Sequence, residues 1–156
     1  EKYSIKETDD VGILHDKLSK LGGKILAENL EYLVSGNVVR FKQNDTEATY
    51  AKMIEREMEE LDFNDSVTNI YNKIRAFSPW PLSKTIINNE EVKVVKAHYT
   101  KEKSIVNKLY ISKEGLGIGA KDGIIYLDII KPIGKKEMDI KNYLNGKKEL
   151  LNEGRR

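Results

Sequence analysis

The sequence predicts a mixed α+β chain, mostly β. It is a small closed or partly open antiparallel barrel with flanking helices, preceded by one long amphipathic helix. Apolar residues recur at spacings of three and four from Val11 to Val34, the period of a helix with one apolar face. Short runs rich in β-branched residues then crowd into residues 85–130, separated by turn residues. So many short strands in so little chain favour a curled sheet over a flat one, whose edges would stay exposed.

The elements follow in order. Val11, Leu14, Leu18, Leu21, Ile25, Leu26, Leu30, Leu33 and Val34 give a helix over 9–36. Asp9 or Asp10 starts it, because a carboxylate accepts from the free N–H groups of the first turn. Gly36 ends it, and Gly22-Gly23 marks a point for a break or kink. So wide an apolar stripe needs a partner, and nothing nearby supplies one, so the helix reads as the last of a domain whose body lies elsewhere. Val38–Phe41 reads as a short strand, Asn44-Asp45-Thr46 as a turn, and Glu47 to Asp62 as a polar linker. A second helix is capped by Asp65 or Ser66 and carries Val67, Ile70, Tyr71 and Ile74 on one face. It stops near Ser78, before Pro79-Trp80-Pro81. Strands are expected at Thr85–Ile87, Val92–His98, Leu109–Ile111, Leu116–Ala120 and Ile124–Ile130, with Asp122-Gly123 as a hairpin signal. A short helix, Asp139–Leu144, ends at Asn145-Gly146.

Composition narrows the chemistry. The chain has 156 residues, 39% hydrophobic and 33% charged, with no cysteine and two histidines. Disulfides, thiolate metal sites and cysteine nucleophiles are excluded, and two histidines do not make a multi-histidine zinc site. No run approaches the ~18 apolar residues that span a bilayer. The chain begins at Glu1 and opens with no charged-then-apolar signal segment, so it reads as a piece of a longer cytoplasmic protein. Residues 131–156 hold eight Lys or Arg against four Asp or Glu. That basic end is either a solvated terminus or a contact for a polyanion.

Few groups qualify for catalysis. His15 sits beside Asp16, but adjacent residues on a helix do not face each other, and a surface histidine is the plainer reading. His98 ends a strand with no carboxylate near it in sequence. Glu57, Glu59 and Glu60 read as a solvated face of the linker, since acid–base chemistry needs carboxylates fixed in a cleft. Gly115-x-Gly117-x-Gly119 lacks the following helix that a phosphate loop needs. These glycines fit strand curvature or close packing better. Basic residues remain. Lys135 and Lys136, at a turn after Pro132, can neutralise two phosphates. Arg75 and Lys84 flank Phe77 and Trp80, a pairing of charge with aromatic rings that suits RNA, although core packing is the plainer role for the two rings.

The same residues carry a resemblance. Arg75-Ala76-Phe77-Ser78-Pro79-Trp80-Pro81 resembles the R-A-F-x-P-W-P signature of folate-dependent formyltransferases. Gly134-Lys135-Lys136-x-Met138, followed by Tyr143-Leu144-Asn145-Gly146, resembles the ending of the methionyl-tRNA formyltransferase family. Ala48-Thr49-Tyr50-Ala51, Leu14–Leu18 and Asp122-Gly123 match that family's linker, helix and last hairpin. Asn107-Lys108, Leu82-Ser83-Lys84 and Asp62-Phe63 depart from its usual residues.

The resemblance implies the tail of an α/β formyltransferase domain over 1–43, a linker over 44–63 and an oligonucleotide-binding-type barrel over 64–156. It implies an enzyme using 10-formyltetrahydrofolate as co-substrate, acting on initiator methionyl-tRNA as a cytoplasmic monomer. The family's catalytic Asn, His and Asp fall upstream, in an N-terminal catalytic domain. This segment is then expected to be inactive alone and to bind no cofactor. Its expected nucleic-acid contacts are Lys52, Arg56, Arg75, Lys84, Lys135 and Lys136. Two alternatives stand beside this reading. One is the equivalent barrel of a sugar-nucleotide formyltransferase, which binds no RNA. The other is a structural docking or oligomerisation module.

Overall fold

Residues 1–147 are described by the computed structural model. Lys148, Arg155 and Arg156 of the basic tail lie outside the described residues. The chain divides into two units, Glu1–Ile54 and a second beginning at Glu55.

The first unit is built on α1 (Val11–Ser35). Asp10 caps it, its carboxylate accepting from Ile13 N–H at 2.7 Å. Gly36 closes it at φ +74°, its N–H reaching the Leu33 carbonyl. The helix runs unbroken through Gly22-Gly23, so no break forms there. No residue of α1 is buried, and the stripe including Leu18, Leu26, Leu30 and Leu33 is about half exposed. Asp9, just before the cap, is buried and accepts from Lys17 Nζ (2.7 Å), Lys6 N–H (3.0 Å) and the Tyr3 hydroxyl (3.3 Å). The Lys17 ammonium, then the Lys6 N–H, hold its carboxyl below the usual range. The expected strand at Val38–Phe41 does not form. Val39 and Phe41 stand exposed with no neighbouring strand to complete a ladder.

The second unit holds α2 (Val67–Phe77), β1 (Ser83–Ile87), β2 (Glu90–Thr100), β3 (Leu109–Ser112), β4 (Gly115–Ala120), β5 (Gly123–Pro132), β6 (Met138–Asp139) and α3 (Ile140–Asn145). The strands form one antiparallel sheet in the order β1-β2-β5-β4-β3. β6, too short to be read from sequence, pairs with β5 at Ile129 and Ile130, beyond the reach of β4. β1 and β3 are not paired with each other, so the sheet is open between them. Between β2 and β5 the register slips on either side of Lys96, skipping Val95 and Asp128. Such bulges bend and twist a sheet toward a barrel.

The core lies under this curved sheet. Ile70 and Ile74 of α2 meet Val92 and Val94 of β2, Leu116 of β4, and Ile125, Leu127 and Ile130 of β5. Each fully buried side chain of this kind contributes about 1.5–3 kcal/mol relative to exposure. The glycines of β4 set the packing on the opposite face. A Cβ on Gly117 would sit 2.5 Å from Ile124 and 2.8 Å from the Tyr126 ring, and one on Gly119 2.0 Å from the Ile105 carbonyl oxygen. Close packing is therefore what the spaced glycines serve.

Candidate nucleic-acid interface

The expected contact residues fall at several places. Lys135 and Lys136 follow Gly134 (φ +72°), in the turn between β5 and β6. The turn is pinned by Lys135 N–H donating to the Pro132 carbonyl (3.1 Å). Both side chains are exposed, and among the described residues neither forms a salt bridge. The charge of Lys135 still reaches Glu90, the first residue of β2. Glu90 is already engaged by Lys147 Nζ (3.1 Å) and the Tyr143 hydroxyl (3.0 Å). Lys147, then Tyr143, lower its carboxyl below the ordinary range. Burial of Tyr143, reinforced by Glu90, pushes that hydroxyl up to about 12. Tyr143, Ile140 and Leu144 are buried, so α3, which follows the lysine turn and β6, is clamped to the sheet.

Lys84 is placed differently. Its side chain is only 8% exposed, and its ammonium faces Glu60 (3.4 Å) and Glu91 (3.7 Å). The RNA contact expected of Lys84 is therefore not an open, unpaired charge, because two carboxylates already face it. The same arrangement revises the acidic run in part. Glu59 pairs with Lys93 (3.7 Å), and Glu60 forms a parallel bridge to Lys84, with Leu61 N–H donating to the Lys84 carbonyl (3.0 Å). Glu59 is thus tied to the sheet, whereas the Glu60 side chain, though within reach of Lys84, stays 71% exposed, as a solvated face requires.

Arg75, in the last turn of α2, is half-buried, and its Nε donates to Asn72 Oδ1 (2.9 Å). Nearby in sequence, Trp80 is 75% exposed, against the expectation of core packing. The neighbouring Pro81 carbonyl accepts from Lys93 Nζ (2.9 Å). Arg56 is exposed at the start of a 3-10 turn, Arg56–Glu59. Lys52 is exposed in the first unit.

Two features escaped the sequence reading. His98 Nδ1 lies 2.8 Å from Asp128 Oδ1, with the imidazole stacked 5.3 Å from the Tyr126 ring. The skipped register position brings Asp128 there, and no sequence spacing marks it. The open edge between β1 and β3 also leaves a cavity of about 480 Å³, with Lys84 and Glu91 in its wall. Among the described residues no group of three or more His, Cys, Asp or Glu could hold a metal, and no helix is long and apolar enough to cross a membrane.

Comparison with known proteins assigns the family. The model of the formyl transferase C-terminal domain matches residues 53–148. The chain belongs to this formyltransferase family. The methionyl-tRNA formyltransferase of Mesoplasma florum is 38% identical over 96% of this chain and 49% of its own length. The chain thus spans about half the length of the curated relatives it matches, and it resembles the portion of them that carries this domain. Among solved structures, a variant of HypX from Aquifex aeolicus superposes with a TM-score of 0.67 at 18% identity, over 96% of this chain and 28% of that one. An N-formyltransferase from Helicobacter canadensis, in complex with folinic acid and dTDP-3-aminofucose, gives 0.60 at 23%, over 80% and 47%. At those identities the likeness establishes the formyltransferase C-terminal fold, an open antiparallel sheet flanked by helices. In that fold the P-W-P segment is the turn from α2 to β1, and the G-K-K segment is the turn from β5 to β6.

Proposed function

We propose that this chain is the C-terminal, tRNA-positioning part of an enzyme that transfers a formyl group from 10-formyltetrahydrofolate to the amino group of methionyl-initiator tRNA. The reaction needs a neutral amine as nucleophile and a base to take its proton. In this reading those groups belong to an N-terminal catalytic domain outside this chain, the folate binds there, and the enzyme works in the cytoplasm. The role of this segment is to hold the tRNA so that its acceptor end reaches that domain. Contacts to phosphates suffice for that, because they fix orientation without reading sequence.

One observation carries the reading. Lys135 and Lys136 stand exposed on a turn held between a buried strand end and a clamped helix, so two positive charges are presented at a fixed place. Arg75, shortly before the exposed Trp80 in sequence, supplies a further contact, with Arg56 and Lys52 along the preceding segment. Lys84, buried against Glu60 and Glu91, is not counted among the phosphate contacts. The similarity to methionyl-tRNA formyltransferases supports RNA over a sugar nucleotide as the acceptor.

A filter-binding series with initiator methionyl-tRNA across salt concentrations tests this. Lys135→Ala with Lys136→Ala should weaken binding and reduce the salt slope by roughly one unit per lost phosphate contact. Unchanged affinity and slope would remove these lysines from the interface. No mobility shift of the unaltered chain with tRNA would favour the sugar-nucleotide reading.

A further inference from the structure

The opening between β1 and β3 is more than a gap in the sheet. Its cavity of about 480 Å³ is of the size that ordinarily takes a small planar ligand. Phe63, Leu109 and Ile118 give it an apolar floor. Its polar wall is unusual in holding both signs of charge close together. The Lys84 ammonium is almost wholly buried, yet its carboxylate partners sit at 3.4 and 3.7 Å, longer than a good charge-assisted hydrogen bond. Its donors therefore retain capacity toward the cavity. Glu60 and Glu91 bring one more negative charge than Lys84 neutralises, which disfavours an anion as the occupant. The β1 edge adds backbone groups. Because the Lys84 carbonyl points away from β2 to accept from Leu61, strand alternation sends the Ile86 N–H and C=O to the same free edge.

A neutral, flat ligand that carries acceptors and donors on adjoining atoms satisfies all of this. Guanine is such a group. Its O6 and N7 accept, which suits an ammonium, and its N1–H and N2 amino group donate, which suits a carboxylate. Adenine places an amino donor where guanine has O6, and would set it against Lys84. We propose that this cavity is a nucleobase pocket that takes one unstacked guanine. Splayed-out bases read on their edges are the usual way a protein reads single-stranded RNA. This rests on the RNA-binding reading only for where the guanine comes from; the pocket chemistry stands on its own.

Amide-resolved NMR titration of the full 156-residue chain tests it, with 5′-GMP, 5′-AMP and inorganic phosphate as separate probes. GMP should give saturable shifts at Phe63, Ile86 and Leu109, with affinity at least about tenfold above that for AMP. Phosphate should not reproduce them. Glu60→Gln, at an exposed side chain that leaves the core intact, should lower GMP affinity about tenfold and leave AMP unchanged. Thr85→Phe, which fills the cavity from β1, should abolish the shifts, and an unchanged far-ultraviolet spectrum checks that the variant folds. Absent shifts, equal affinity for the two nucleotides, or reproduction of the shifts by phosphate would each overturn the proposal. The same titration with initiator tRNA separates the two claims. Shifts at Lys135 and Lys136 with no GMP response retain the positioning role and sink the pocket. A selective GMP response with no tRNA response does the opposite.

Discussion

Gly119 lies so close to the Ile105 carbonyl that a single methyl group has nowhere to go. The clash falls on backbone, at 2.0 Å, so a side chain cannot simply swing aside. Gly119→Ala should therefore cost about 1–3 kcal/mol or more, read as a lowered urea midpoint. The Glu90–Tyr143 pair gives a second test, by pH. Glu90 is lowered from its ordinary value of 4.5, so its contribution is present above that value and is lost as pH falls through the lower folded value. Tyr143 is raised from 10.0 to about 12, so its contribution is complete below pH 10 and is lost as pH rises toward 12. Urea midpoints across pH should fall at both ends. Glu90→Gln should flatten the acid limb, and Tyr143→Phe the alkaline limb.

At the scale of elements, the Asp122-Gly123 hairpin does more than reverse the chain. Asp122 Oδ1 accepts from Val67 N–H at 2.7 Å, so the turn from β4 to β5 satisfies the first amide of α2. Asp122→Ala should destabilise by about 1–3 kcal/mol, because it strands that donor, whereas Ser66→Ala at the helix cap should cost about 1 kcal/mol. Thermal melts of the two variants rank them. Helix ends were legible in the sequence because their chemistry is local. Asp10, Ser66 and Asp139 each accept from an N–H three residues on. Strands β1 to β5 were legible because alternation and turn residues bracket them. The Val38–Phe41 run shares that composition and forms no strand, since a strand exists only against a neighbour. In the interface, the exposure of Lys135 and Lys136 followed from the turn after Pro132. The burial of Lys84 did not, because it depends on which strand and which carboxylates the fold brings beside it. Trp80 misled for a related reason. A tryptophan between two prolines looks like a core anchor, and only the path of the α2–β1 turn turns it outward.

For the molecule as a whole, the two units differ in what secures them. The second has a core of fully buried side chains, whereas α1 has no buried residue. A helix without a packed face is marginal in water, so hydrogen exchange should be fast along Val11–Ser35 and slow at Ile125 and Leu127. Comparable protection in both would mean that a further surface covers α1. The Glu60–Leu61 segment has a different kind of importance. It lies alongside β1 and occupies part of a border that would otherwise offer its backbone to any passing chain. A shortened protein beginning at Asp62 would keep every strand and every fully buried apolar side chain of the sheet's core, yet lose that selvage. Its failure would be stickiness, seen as concentration-dependent precipitation, while the fold beneath stayed sound.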